Sequence, residues 1–133
     1  METVTLSSRR SHLEMARQKL LDREQKTRRQ NAELQRQAAS DASDIVALIA
    51  RQYQPRRIYQ WGSLLRPGDF KPYSDIDIAI EGITDAERFF ALLGDAQKLT
   101  RFPLDIVQLE KIVPEYADDI RRHGKLVYEE AGV

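Results

Sequence analysis

The stretch Tyr73-Ser74-Asp75-Ile76-Asp77-Ile78-Ala79-Ile80 decides how this chain is read. Ile76, Ile78 and Ile80 alternate with Asp75, Asp77 and Ala79. A period of two sends alternate side chains to opposite faces, so Ser74 to Ile80 is predicted as a strand with one face in a core and the other toward water. Asp75 and Asp77 would leave the same face, their Cα atoms about 6.6 Å apart at roughly 3.3 Å per residue. That span serves one cation, or two held about 3.5–4 Å apart. Two like charges side by side on an apolar strand cost stability unless a cation neutralises them. A solvated strand face can also carry Asp-x-Asp, so the pair alone leaves both readings open.

Upstream, Arg66 to Tyr73 holds Pro67, Gly68 and Pro72 and reads as a loop. Before it, Arg57 to Trp61 reads as a strand ending in Gly62-Ser63. A Gly-Ser there is either a plain turn or a place where backbone N–H groups and a hydroxyl meet a phosphate. Downstream, Thr84-Asp85-Ala86-Glu87 has the form of a capping box opening a helix to about Leu99. Pro103 to Leu109 (PLDIVQL) is apolar on both faces except at Asp105 and Gln108, and is predicted as a third, central strand. A carboxylate at Asp105 would be costly to bury alone, so a shared cation or an ion pair with Arg or Lys is expected. Pro114 suits the first turn of another helix and Gly124 its end. Leu126-Val127-Tyr128 suits a short last strand. The order is helix, strand, strand, helix, strand, helix, strand: an α/β (α+β) sandwich, with a small mixed sheet and helices packed on it. The short link between the first two strands predicts antiparallel pairing.

The N-terminal third differs. Ser8 to Ala39 contains no Gly or Pro and is rich in Arg, Gln, Glu, Lys, Leu and Ala, which predicts a long helix with a weak apolar stripe through Leu13, Ala16 and Leu20. It reads either as a solvated tail or as a helix docked on the body or on a partner. Ser40-Asp41-Ala42-Ser43-Asp44 is rich in capping residues and would open a second helix through Ile45 to Ile49, ending before Pro55. A single helix over residues 9–53 is the alternative. Arg28-Arg29 reads as a solvated helix face, and His12 and His123 as surface residues without a second ligand at metal spacing. Trp61 reads as packing rather than a base-stacking surface, Tyr59 and Tyr73 as structural or rim residues.

Composition narrows the classes. The chain has 133 residues and no cysteine, which excludes disulfides and thiolate metal sites. With two histidines, oxygen ligands are favoured, and so Mg²⁺, Mn²⁺ or Ca²⁺ over Zn²⁺. No apolar leader and no run of roughly 20 apolar residues is seen, so a cytoplasmic protein with no membrane contact is expected. Residues 1–39 carry 9 Lys and Arg against 5 Asp and Glu, and the remainder 12 against 16. A formal net charge of zero argues against direct nucleic-acid binding, while the uneven layout suits a partner protein or a homo-oligomer.

Taken together, the segments WGSLLR, YSDIDIAI and PLDIVQLE resemble those of the DNA-polymerase-β-like nucleotidyltransferase superfamily, most closely its minimal nucleotidyltransferase (MNT) branch. The resemblance covers about residues 45–128, within a nucleotidyltransferase domain expected at 41–133, with residues 1–40 as a helical extension. It implies that Asp75 and Asp77 ligate two Mg²⁺ ions, with Mn²⁺ possible. Asp105 would complete one metal site and help activate the attacking hydroxyl. Gly62 and Ser63 would hold the β- and γ-phosphates of ATP, assisted by Arg66. The spacer from Ser63 to Asp75 is about one residue longer than usual, and Pro67 stands where the family often has Gly. The resemblance further implies an antitoxin that transfers AMP to a tyrosine of a HEPN-domain toxin. A body of about 90 residues leaves no room for an acceptor domain, so the acceptor is expected on another chain. Two other readings stand beside it: a non-catalytic module that neutralises its partner by masking, and a nucleotidyltransferase acting on a small molecule.

Overall fold

Ile76, Ile78 and Ile80 are fully buried, and they anchor the core strand of a computed structural model that describes residues 6–132. Helix α1 runs Leu6–Tyr53, followed by strand β1 (Arg57–Trp61), a 3₁₀ turn (Ser63–Leu65) and strand β2 (Ile76–Glu81). Helix α2 (Ala86–Gln97), strand β3 (Leu104–Gln108), helix α3 (Pro114–His123) and strand β4 (Lys125–Glu129) complete the chain. The sheet order is β3-β2-β1-β4. β1 is antiparallel to β2 and to β4, and β2 is parallel to β3. The parallel pair is joined through α2, the usual crossover for such strands. The α+β architecture with a mixed sheet is therefore as the sequence predicts.

The isoleucine face packs on the second half of α1 and on α2. Ala38, Ala42, Ile45, Ile49 and Tyr53 recur every three or four residues along α1 and sit in one buried cluster with Ile58, Ile76, Ile78, Ile80, Leu92 and Phe70. The Tyr53 hydroxyl donates to Asp95 Oδ2 at 2.6 Å, and Arg88 Nη2 donates to the Tyr53 carbonyl at 2.6 Å, tying α1 to α2. The opposite face is covered only in part: α3 lays Ala117 and Ile120 over Tyr59, Ala79 and Leu109.

Four expectations need correction. α1 does not break at Ser40-Asp44; it is one helix. The Asp41 carboxylate is used sideways, accepting from the Thr100 hydroxyl at 2.7 Å instead of capping. α2 is capped by Asp85, which accepts from the Arg88 N–H, one residue later than a box opened by Thr84 would place it. β2 begins at Ile76, so Asp75 immediately precedes the strand. Finally, β3 is an edge strand, not a central one. Its two apolar faces have another cause: Ile106 joins the α1/α2 cluster while Val107 and Leu109 join the α3 cluster, so helices cover both sides of an edge.

Over Leu6–Gln30, α1 projects with almost no burial; Leu6, Leu13 and Leu20 are 74%, 70% and 58% exposed. Helix α1 is thus solvated along its first half and docked along its second. No described helix is long and apolar enough to cross a membrane.

Candidate active site

β1, β2 and β3 bring three predicted residues to one end of the half-covered face. The β1–β2 register sets Trp61 opposite Asp77, and the β2–β3 register sets Asp77 opposite Asp105. Asp77 is half-buried, whereas Asp75 and Asp105 are exposed. Asp105 therefore needs no ion pair to offset burial, and none of those formed among the described residues includes it. Burial, reinforced by the Asp105 and Asp75 carboxylates, pushes the Asp77 carboxyl up to about 7, and Arg66 opposes this in part. A second carboxylate beside a half-desolvated one creates a demand for positive charge at this spot.

Gly62 closes the site from the β1 side. Its φ of 83° lies in the left-handed region, and a Cβ built there would stand 2.1 Å from Asp77 Oδ2. Only glycine lets the backbone lie this close to the carboxylate. The chain then turns tightly, with the Leu65 N–H donating to the Gly62 carbonyl at 3.2 Å and the Arg66 N–H to the Ser63 carbonyl at 3.1 Å. Arg66 follows on the exposed loop, its Nε donating to Asp69 Oδ2 at 2.6 Å. Asp77 and Asp105 are thus paired by the sheet, Gly62 and Asp75 flank it at the ends of β1 and β2, and Ser63 and Arg66 lie on the turn and loop that leave β1.

Several residues that position the site escaped the sequence reading. Gln35 on α1 donates from Nε2 to the carbonyls of Leu64 and Arg66 at 3.1 and 3.2 Å, holding the loop after Gly62. Phe70, fully buried and edge-on to Phe102 at 5.7 Å, pins the far end of that loop. Neither carries a local signal, since each acts across distant sequence. Trp61 does more than pack: it is half-buried and lines two clefts, and its indole Nε1 is buried with no hydrogen-bond partner among the described residues. One cleft, about 390 Å³, also includes Gly62, Arg66, Asp119 and His123. The other, about 320 Å³, is apolar, with Val107, Ile112 and Tyr116. Tyr59 is buried and Tyr73 is 80% exposed, on a structural and a rim position. A larger groove of about 580 Å³ between α1 and Tyr73 contains none of the six predicted site residues.

Among the described residues, no three His, Cys, Asp or Glu side chains stand close enough to enclose a metal ion. The carboxylates form an open edge, not a finished cage.

The fold has solved counterparts. A crystal structure of the toxin–antitoxin MntA-HepT is similar to this chain with a TM-score of 0.52 and 19% identity, covering 68% of this chain and 72% of that one. A toxin–antitoxin crystallised with AMP-PNP is similar with a TM-score of 0.55 and 22% identity, covering 66% and 73%. At these identities the likeness establishes the shared fold. No curated protein matches the chain. The family model "Polymerase beta, Nucleotidyltransferase" matches residues 43–131, which span β1 through β4 together with the docked end of α1. By that match, the chain belongs to the polymerase β nucleotidyltransferase family.

Proposed function

We propose that this chain transfers AMP from ATP to the hydroxyl of a tyrosine on a HEPN-domain toxin, and so acts as an antitoxin. The reading rests above all on one observation: Asp77 is held between the Gly62 backbone on one side and Asp105, its register partner, on the other. Family membership supports nucleotidyl transfer, and the two structural neighbours, themselves toxin–antitoxin proteins, support the partner class. The reaction would take place in the cytoplasm, where ATP is supplied.

Asp75, Asp77 and Asp105 would hold Mg²⁺ (or Mn²⁺), because the oxygen-only donor set and the pressure on the Asp77 carboxyl fit a hard cation. The open arrangement fits as well, since Mg²⁺ is usually bound through one or two carboxylates plus substrate phosphates and water. When bound, the ion neutralises charge on the α-phosphate and the leaving group. The chain's own residues do the rest. Gly62 and Ser63 offer backbone N–H groups and a hydroxyl to the phosphates. Asp105, exposed at the sheet edge, accepts the proton of the incoming hydroxyl. The acceptor oxygen forms a bond to the α-phosphorus as the bond to pyrophosphate breaks in line. The protein mainly positions these groups.

The second reading, masking without chemistry, draws on the exposed leucines of α1, which offer a partner an apolar surface on the undocked half of the helix. One experiment separates the two. The product of the neighbouring gene is incubated with the chain, ATP and Mg²⁺, then weighed intact. Gains of whole AMP units, lost in Asp77→Asn, are expected. Neutralisation that persists in Asp77→Asn with no mass gain would overturn the catalytic reading.

A further inference from the structure

The last turn of α3 faces the nucleotide-binding turn across the cleft of about 390 Å³, a size within the range of small-ligand sites. Two titratable side chains line it from that helix. Asp119 and His123 are i,i+4 neighbours, and His123 Nδ1 lies 2.9 Å from Asp119 Oδ1. Gly62 and Arg66 line the other wall, with Trp61 between. Gly62 is therefore shared: one side of it abuts the Asp77 carboxylate, and it also borders this cleft. A phosphate chain whose α-phosphate sits at Asp77 would pass over Gly62 and bring its far end to His123 and Arg66.

We infer that His123, oriented by Asp119 and acting opposite Arg66, receives the terminal phosphates of the nucleotide and the departing pyrophosphate. The inference rests on the nucleotidyltransferase reading above and adds two residues to it. With Nδ1–H donated to Asp119, the ring is fixed, and in its charged form it presents Nε2–H to the cleft. Neighbouring charges sharpen the role. Arg121 gives both Nε and Nη1 to Glu81 and Asp118, whereas Arg66 gives only its Nε to Asp69. The Gly124 N–H donates to the Ile120 carbonyl at 2.7 Å and is not free for an anion. The Asp119 carboxylate and the carbonyl end of α3 repel phosphate, so without His123 this wall would oppose the ligand. Asp119 is thus a positioning residue and His123 the contact. His123 is 70% exposed on its side chain, which limits its effect to a modest one.

The full chain, with Mg²⁺, is titrated calorimetrically with ATP, AMP and inorganic tripolyphosphate. His123→Ala is expected to weaken ATP and tripolyphosphate about three- to tenfold while AMP changes less than about twofold, as a lost charge-assisted contact at an exposed site implies. His123→Gln, which keeps a donor, recovers part of the loss. Asp119→Asn weakens ATP in the parent, where the carboxylate fixes the ring, and strengthens it modestly in His123→Ala, where only its repulsion is left; that change of sign marks a residue acting through another. A purely structural role would instead lower the melting temperature and leave the ATP-to-AMP ratio unchanged. If the parent binds ATP and transfers AMP but His123→Ala keeps the parental ratio, this inference falls alone. If the parent neither binds ATP nor transfers AMP, the nucleotidyltransferase reading falls and takes the inference with it.

Discussion

The two faces of β2 are built from alternate residues of one strand, yet they are under opposite demands. Ile76, Ile78 and Ile80 are sealed beneath α1 and α2. On the reverse, α3 covers Ala79 but stops short of Asp77, which stays half-buried beside two other carboxylates. The first face lowers free energy by removing apolar surface from water. The second holds like charges together at a cost that a proton or a cation relieves. Stability and chemistry are thus separated by a single residue step where Asp77 stands between Ile76 and Ile78.

The largest expected effect tests the charged face. Asp77→Asn should reduce AMP transfer about 1,000-fold, equivalent to about 4 kcal/mol of transition-state stabilisation, while the chain stays folded by circular dichroism. Mg²⁺ with ATP should raise the melting temperature of the parent and not of this variant. Equal transfer by both proteins would dissolve the contrast between the faces. Next, Ile78→Ala should lower unfolding free energy by about 3 kcal/mol in urea, because a fully buried side chain leaves a cavity between sheet and helices. Per folded molecule, its transfer rate should be near that of the parent. Smaller again is Gly62→Ala, whose Cβ would collide with Asp77 Oδ2. It should cost about 30-fold in transfer, or about 2 kcal/mol, with a loss of about 1 kcal/mol in stability from the unfavourable φ. The smallest effect belongs to removal of residues 1–30, of which the described ones, 6–30, contribute nothing to either buried cluster. Stability of the remainder should change by no more than about 0.5 kcal/mol in the same urea assay.

The alternation Ile76-Asp77-Ile78-Ala79-Ile80 was enough to read β2 and its two faces, because a period of two is a local property of the chain. Pro114 and Gly124 bounded α3 for a similar reason: each acts on its own backbone. What escaped the sequence was set by pairing over distance. The apolarity of β3 came from helices on both sides of an edge, a pattern that residues 103–109 share with a central strand. Asp41, a good capping residue in isolation, found a better partner in Thr100, fifty-nine residues on, and α1 ran straight through. The carboxylates of the site were visible as a motif, but the clamp of Gln35 on the loop and the pairing of His123 with Asp119 near Gly62 were not. Those depend on which elements the fold sets side by side.

The length of α1 has a consequence for how the molecule moves. Its 48 residues make a rod about 72 Å long at 1.5 Å per residue. A compact chain of this size would have a radius of gyration of only about 14 Å. Friction and tumbling in solution are therefore governed by the rod rather than by the sheet. The 15.4 kDa chain should elute from a sizing column well ahead of spherical standards of equal mass. Early elution would thus say nothing about self-association, and the number of chains per particle has to be counted by light scattering, which reads mass without regard to shape.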